Sequence, residues 1–310
     1  MIERSVQLGD PVVRRGVVVA PLFPRDRPHA DYLTLDDAVP LGLRVTEVDA
    51  AGSVPELTVA NPLERDVLLY DGEELAGAKQ NRILNVAVLV PAASETRIPV
   101  SCVEEGRWSS RGAAFAPARH AAYPELRRRK AERLSAAPLA LGAAQGEVWQ
   151  AVADKSARHA VRSETGAQAD IFAAREDALA ALRDAFPLQP GQSGALLALA
   201  GGRLCLDYVS RPDAFARLYP KLLDGYLLDA IEALDAKAAS AGDLERFLMA
   251  VAAADRSRRR SPGLGDDVRV RGEGVVGSGL ELERELIQLS AFSSDEERRP
   301  APIAHPARRR

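Results

Sequence analysis

Ala195-Leu-Leu-Ala-Leu-Ala-Gly-Gly-Arg-Leu-Cys-Leu-Asp-Tyr-Val209 reads as two apolar runs joined by a glycine pair. Two adjacent glycines permit the left-handed turn that matches the twist of paired strands, so the stretch is a β-hairpin. Helical spacing surrounds it. On the C-terminal side, Leu222, Leu223, Tyr226, Leu227, Ala230, Ile231 and Leu234 recur at three-and-four intervals, as do Leu244, Phe247, Leu248 and Val251 after Gly242. On the N-terminal side, Val148, Trp149, Val152, Ala153 and Ser156 share one helical face, and Ile171, Ala178, Leu179, Leu182 and Phe186 share another, closed by Pro187 to Gly191. Val268 to Val276 and Glu285 to Phe292 read as strands returning to the hairpin. Arg256 to Gly265 reads as a polar loop and Gly274-Val-Val-Gly-Ser-Gly279 as a bend between strands. Residues 143–292 are therefore expected to form a helix-covered antiparallel sheet.

Further upstream the period changes to that of strands. Gly16 to Phe23, Leu43 to Val48, Glu56 to Ala60, Val67 to Tyr70, Ile83 to Val90 and Glu95 to Cys102 are short β-branched or alternating runs. Turn formers separate them at Asp49-Ala-Ala-Gly52, Asn61-Pro62, Asp71-Gly72 and Pro91-Ala-Ala93. Thr34-Leu-Asp-Asp37 has the form of a capped helix start. The expectation for 1–118 is an antiparallel β-sandwich or jelly-roll-like part, making the chain α+β. Between the two parts, 119–142 reads as a basic connector in which Arg127-Arg128-Arg129-Lys130 is a solvated charged helix or loop. The tail, 293–310, lacks apolar side chains and is expected to be disordered.

Composition excludes several classes of function. The 310 residues are 46% hydrophobic and 27% charged, ordinary globular values, with a net charge of -3. General nucleic-acid binding is disfavoured. No run of about 18 apolar residues exists, so no membrane helix is expected and the protein is expected in the cytoplasm. Cys102 and Cys205 are the only cysteines and are expected to be reduced.

The chemistry concentrates in two polar stretches. Asp71-Gly-Glu-Glu-Leu-Ala-Gly-Ala-Lys-Gln-Asn-Arg82 offers two adjacent carboxylates, an amine, two amides and a guanidinium. On a strand Glu73 and Glu74 face opposite sides, so one of them at most enters a given cavity. A carboxylate beside Lys79 and Arg82 would stay ionised and serve as base or ligand, while these two cations could clamp a phosphate. Ser101-Cys-Val-Glu-Glu-Gly-Arg-Trp108 adds Cys102, Glu104 and Trp108. The candidate catalytic residues are Glu74 and Glu104, and the candidate ligand contacts are Glu73, Lys79, Gln80, Asn81, Arg82 and Trp108. Cys102 defaults to an inert buried thiol, because none of His29, His120, His159 and His305 is adjacent in sequence to activate it. No paired Cys or His spacing indicates a metal. Glu73 or Glu74 with Glu104 would suit a hard cation such as magnesium, and the cofactor is otherwise unassigned. Neither a Walker loop nor a dinucleotide fingerprint is present.

The two polar stretches, with Val54-Pro-Glu-Leu57, Val90-Pro91, Ile98-Pro-Val-Ser101, Gln145-Gly-Glu-Val-Trp149, Arg211-Pro212 and Ser290-Ala-Phe292, resemble the ARG and rhodanese-phosphatase-superfamily-associated protein family. That family counts as a domain of unknown function, described as associated with ADP-ribosylglycohydrolase-type and rhodanese-phosphatase-type proteins. The resemblance implies a place in ADP-ribose or NAD-linked metabolism without fixing a substrate or a catalytic residue. Ala92-Ala93 departs from it, standing where a turn glycine is expected. Two readings follow. One is a protein that binds or processes a phosphate-bearing small molecule of the ADP-ribose type. The other is a non-catalytic interaction or assembly protein, working with a protein partner or as a homo-oligomer, with the cluster as interface or structural network.

Overall fold

The structure, a computed structural model, describes residues 2–49, 55–107, 112, 114–136, 144–199, 202–234 and 240–294. The chain begins with α1 (Ile2–Ser5), β1 (Val6–Leu8), β2 (Val12–Arg14), β3 (Val17–Pro24), β4 (Tyr32–Thr34) and α2 (Leu35–Ala38). Thr34 caps α2 by accepting the Asp37 N–H, which satisfies an otherwise orphaned donor. Short strands follow: β5 (Arg44–Glu47), β6 (Glu56–Asn61), β7 (Asp66–Leu69), β8 (Glu73–Gly77), β9 (Arg82–Leu84), β10 (Val88–Val90), β11 (Ser94–Cys102) and β12 (Ala114–Ala121). Four helices come next, α3 (Pro124–Ala136), α4 (Gln145–Arg158), α5 (Gln168–Ala174) and α6 (Glu176–Arg183). The hairpin β13 (Gly194–Leu199) and β14 (Arg203–Val209) precedes α7 (Pro212–Ala230), α8 (Ala241–Ala253) and the strands β15 (Asp255–Arg260), β16 (Asp266–Gly272), β17 (Val275–Leu282) and β18 (Glu285–Ser293).

The protein is α+β with largely antiparallel sheets. A nine-stranded sheet runs β1-β3-β13-β14-β18-β17-β16-β15, with β2 also paired to β3. The strands β11-β6-β5-β12-β8-β9 close a six-stranded barrel, and β10-β7-β4 form a small sheet. Closure leaves the barrel no free edge. Val45, Leu57, Val59, Leu75, Ile98 and Val100 belong to the cluster of this barrel and its small sheet. Two further cores lie on the large sheet: one beneath α3 to α7, the other involving α1 and α8.

Several expectations change. The N-terminal strands form a closed barrel and a small sheet, while β3 joins the large sheet through the Ala195 hairpin, with Leu196 opposite Ala20. The expected boundary at 118 falls inside β12. Ile83 to Val90 is two strands rather than one. The start of the Arg256 loop is β15, and the glycines of 274–279 extend into β17. There they serve close packing: a Cβ on Gly277 would lie 2.5 Å from the Ser290 carbonyl oxygen. Ala93 sits at φ 47°, a left-handed backbone that accounts for the expected glycine. Gly202 of the expected glycine pair sits at φ 81°, while residues 200–201 and the tail from 295 onward lie outside the described residues.

The largest correction is the basic connector. Its centre is helix α3, in which Arg127 and Lys130 are fully buried. Arg127 makes a two-pronged pair with Asp207 at 2.8 and 2.6 Å, and Tyr70, Tyr226 and Ser290 donate further bonds to that carboxylate. Lys130 pairs with Asp71. A run of four cations looks solvated in sequence, but helical periodicity turns i and i+3 to one side, and here that side faces buried acids. Gly72 makes room for this contact: at φ +83° a Cβ would meet Arg127 Cδ at 2.8 Å.

Candidate functional site

The two adjacent glutamates of β8 are both 1% exposed, and the strand period sends them to different partners. Glu73 accepts from Lys221 of α7 at 2.8 Å and from the Tyr70 N–H at 3.2 Å. Glu74 accepts from the Asn81 side-chain amide at 2.9 Å and from Gln168 at 2.7 Å. Its contacts are thus neutral amides, with no cation bonded to it. Burial pushes the Glu74 carboxyl up to about 7 despite these two hydrogen bonds. This corrects the expectation that neighbouring cations keep it ionised.

Glu104 behaves oppositely. Burial alone would raise its pKa, but bonds from Arg107 at 2.7 Å, the Asn81 N–H at 3.1 Å and the Thr165 hydroxyl at 3.0 Å outweigh that and hold it below the usual carboxylate value. Asn81 therefore joins the two carboxylates, by backbone to one and by side chain to the other. A pair of carboxylates driven apart in this way provides one proton holder and one anion. The Gln168 carbonyl oxygen has no partner. Rotating that amide would let it accept a proton carried by Glu74, so Gln168 suits both protonation states.

The segment that brings Thr165 and Gln168 to the barrel docks by backbone pairing, with Gly106 N–H donating to Thr165 O at 2.7 Å and Gln168 N–H to Val103 O at 2.9 Å. Between this segment and the barrel lies a groove of about 460 Å³, lined by Asn81, Glu104, Arg162, Glu164, Thr165 and Asp170 among others. Arg162 is exposed on it. Nearby, His120 bonds Asp224 at 2.9 Å and stacks on Phe172 with ring centroids 4.2 Å apart. His120 also acts electrostatically on Glu74, favouring its charged form.

The remaining expected residues divide plainly. Arg82 is fully buried and donates to Gln80 and to Cys102 Sγ, so it cannot meet a phosphate from solvent. Gln80 is spent on that bond and on the Glu105 carbonyl. Lys79 is half-buried and already engaged. Cys102 has its thiol pushed by burial up to about 11, which suits an inert side chain. Trp108 lies outside the described residues. Glu73, Glu74 and Glu104 each face N–H or O–H donors, an arrangement that does not fit the magnesium reading. Among the described residues no three His, Cys, Asp or Glu gather as metal ligands. Sequence reasoning missed Arg107, His120, Arg162, Thr165 and Gln168. Arg107 lay unselected in the Ser101 to Trp108 stretch, three residues from Glu104; the other four are brought in by long-range packing, and no local motif marked them.

A closed barrel flanked by a helix-covered sheet, with two electrostatically opposed carboxylates beside a groove, defines an α+β protein with a polar candidate site. Residues 5–292 match the model of the ARG and Rhodanese-Phosphatase-superfamily-associated Protein domain, and the chain belongs to that family. No curated protein and no solved structure matches the chain. Among the described residues no helix is long and apolar enough to cross a membrane.

Proposed function

We propose that the groove beside Asn81 and Glu104 binds, and acts by acid–base chemistry on, a hydroxyl-rich, phosphate-bearing small molecule of the ADP-ribose class. The observation that carries this reading is the Asn81 bridge between a carboxyl poised near neutrality and one held ionised. Glu104 is the carboxylate that would touch the ligand, accepting a hydroxyl proton. Glu74 lies behind Asn81 and holds or releases a proton as the ligand is bound. Exposed Arg162 replaces the buried Arg82 as the cation for phosphate. The other acids of the groove, Glu164 and Asp170, suit the sugar hydroxyls, which donate to carboxylates, while Arg162 faces the diphosphate. The family's name supports the ADP-ribose class only through the company it describes.

A structural reading has its own support, limited to the other half of the cluster. Glu73 with Lys221, and Arg82 with Gln80 and Cys102, are internal pairings that tie α7 to the barrel and β9 to β11 within it. The test is a thermal-shift panel of the full chain with ADP-ribose, NAD and AMP, with and without magnesium. A stabilising shift with at least one of them, lost in Arg162→Gln and Glu104→Gln, is expected. No shift with any, or a shift untouched by both substitutions, would favour an assembly role.

A further inference from the structure

The arginine-rich stretch after α8 has no part in the groove above. Pairing of β15 with β16 sets Ser257 opposite Arg269 and Asp255 opposite Arg271, and partners across an antiparallel pair share a face. Ser257, Arg269 and Arg271 line a groove of about 500 Å³ together with Arg256, Glu273 and, from the last turn of α3, Ser135. It shares no lining residue with the Glu104 groove.

Arg269 is only 5% exposed. Its Nη2 meets Asp267 at 3.1 Å, but that carboxylate is already held by Arg259 at 2.5 Å. The Nε and Nη1 atoms of Arg269 have no acceptor, and neither has the hydroxyl of Ser135 a partner. Arg258, by contrast, is a partly exposed cation paired with Glu281, an ordinary way to charge an edge strand. A buried guanidinium with unpaired donors bears a desolvation cost that a bound anion would remove.

We propose that this groove is a binding site for a phosphoryl group. Arg269 is its buried anchor, Ser257 and Ser135 supply hydroxyls, and Arg256 and Arg271 supply outer charge. Three lining arginines against Asp255 and Glu273 leave a net charge of +1, from 3 − 2. That balance fits one phosphoryl or diphosphate end of a small molecule rather than a polyanion track, which needs many cations in series. The inference stands on the orphaned Arg269 donors and does not depend on the Glu104 reading.

The experiment is calorimetric titration of the full chain with inorganic pyrophosphate, and separately orthophosphate, at constant ionic strength. One anion is expected to bind per chain. Ser257 is exposed, so Ser257→Asp should not lower the unfolding midpoint, while its carboxylate, opposite Arg269, takes the place of the anion. It is expected to weaken binding by about tenfold or more, the worth of a charged hydrogen bond. Arg269→Gln should do the same, with circular dichroism reporting its fold. Absence of binding by both anions, or equal affinity in the parent and Ser257→Asp, would overturn the proposal.

Discussion

Glu74 is the residue in which burial competes most openly with ionisation. Its folded pKa of about 7 stands above its ordinary 4.5, so the folded chain keeps a proton that the unfolded chain has lost. The stabilising contribution is complete below about 4.5 and disappears as pH rises through about 7. The gap, 7 − 4.5 = 2.5, corresponds to at most about 3 kcal/mol. Glu74→Gln removes the titration. Relative to the parent, this variant should gain stability by up to that amount between about pH 5 and pH 8, as read from urea unfolding at both. His120 favours the ionised form of Glu74 and Glu104 opposes it. A pH-independent difference would mean that Glu74 titrates as an ordinary exposed carboxylate.

At the scale of elements, α3 separates a solvated helix from a buried one. Arg127→Met leaves Asp207 without its cation in the interior and should cost about 3–5 kcal/mol. Arg128→Ala, on the same helix, loses a partly exposed pair with Glu132 and should cost about 0.5 kcal/mol or less. Chemical denaturation of both variants measures the contrast, and equal small losses would restore the solvated connector. The alternation of β6 and of the start of β11 was legible because a strand with one buried face keeps its period, and β3 was legible as a continuous apolar run buried on both faces. So were the cap of α2 and the apolar spacings of α7 and α8. The sign of α3 was not, because whether a cation is solvated depends on acids 59 and 80 residues away, at Asp71 and Asp207. β15 and β17 were hidden for different reasons. Asp-Arg-Ser-Arg-Arg-Arg260 carries its charge on an edge, and the glycines of β17 fit tight sheet packing. In the candidate site, Glu74, Asn81 and Glu104 stood out as polar residues among apolar strands, whereas Arg162 arrives from a loop and Gln168 from the start of α5 with no such contrast.

For the whole molecule, residues distant in sequence must converge for the groove to exist. The barrel supplies Asn81, the turn after β11 supplies Glu104, the segment before α5 supplies Arg162 and Thr165, and the first turn of α5 supplies Asp170. Packing against α7 fixes the opposite side of β8 through Lys221. A ligand in this groove should therefore quiet three separated stretches at once, whether or not its diphosphate also slows exchange at the Arg269 groove. Hydrogen–deuterium exchange of the full chain with and without saturating ADP-ribose measures that directly. Slowed exchange together in residues 77–82, 103–107 and 161–170 is expected; unchanged exchange in all three, or slowing confined to the Arg269 groove, would contradict a ligand site between Asn81 and Glu104.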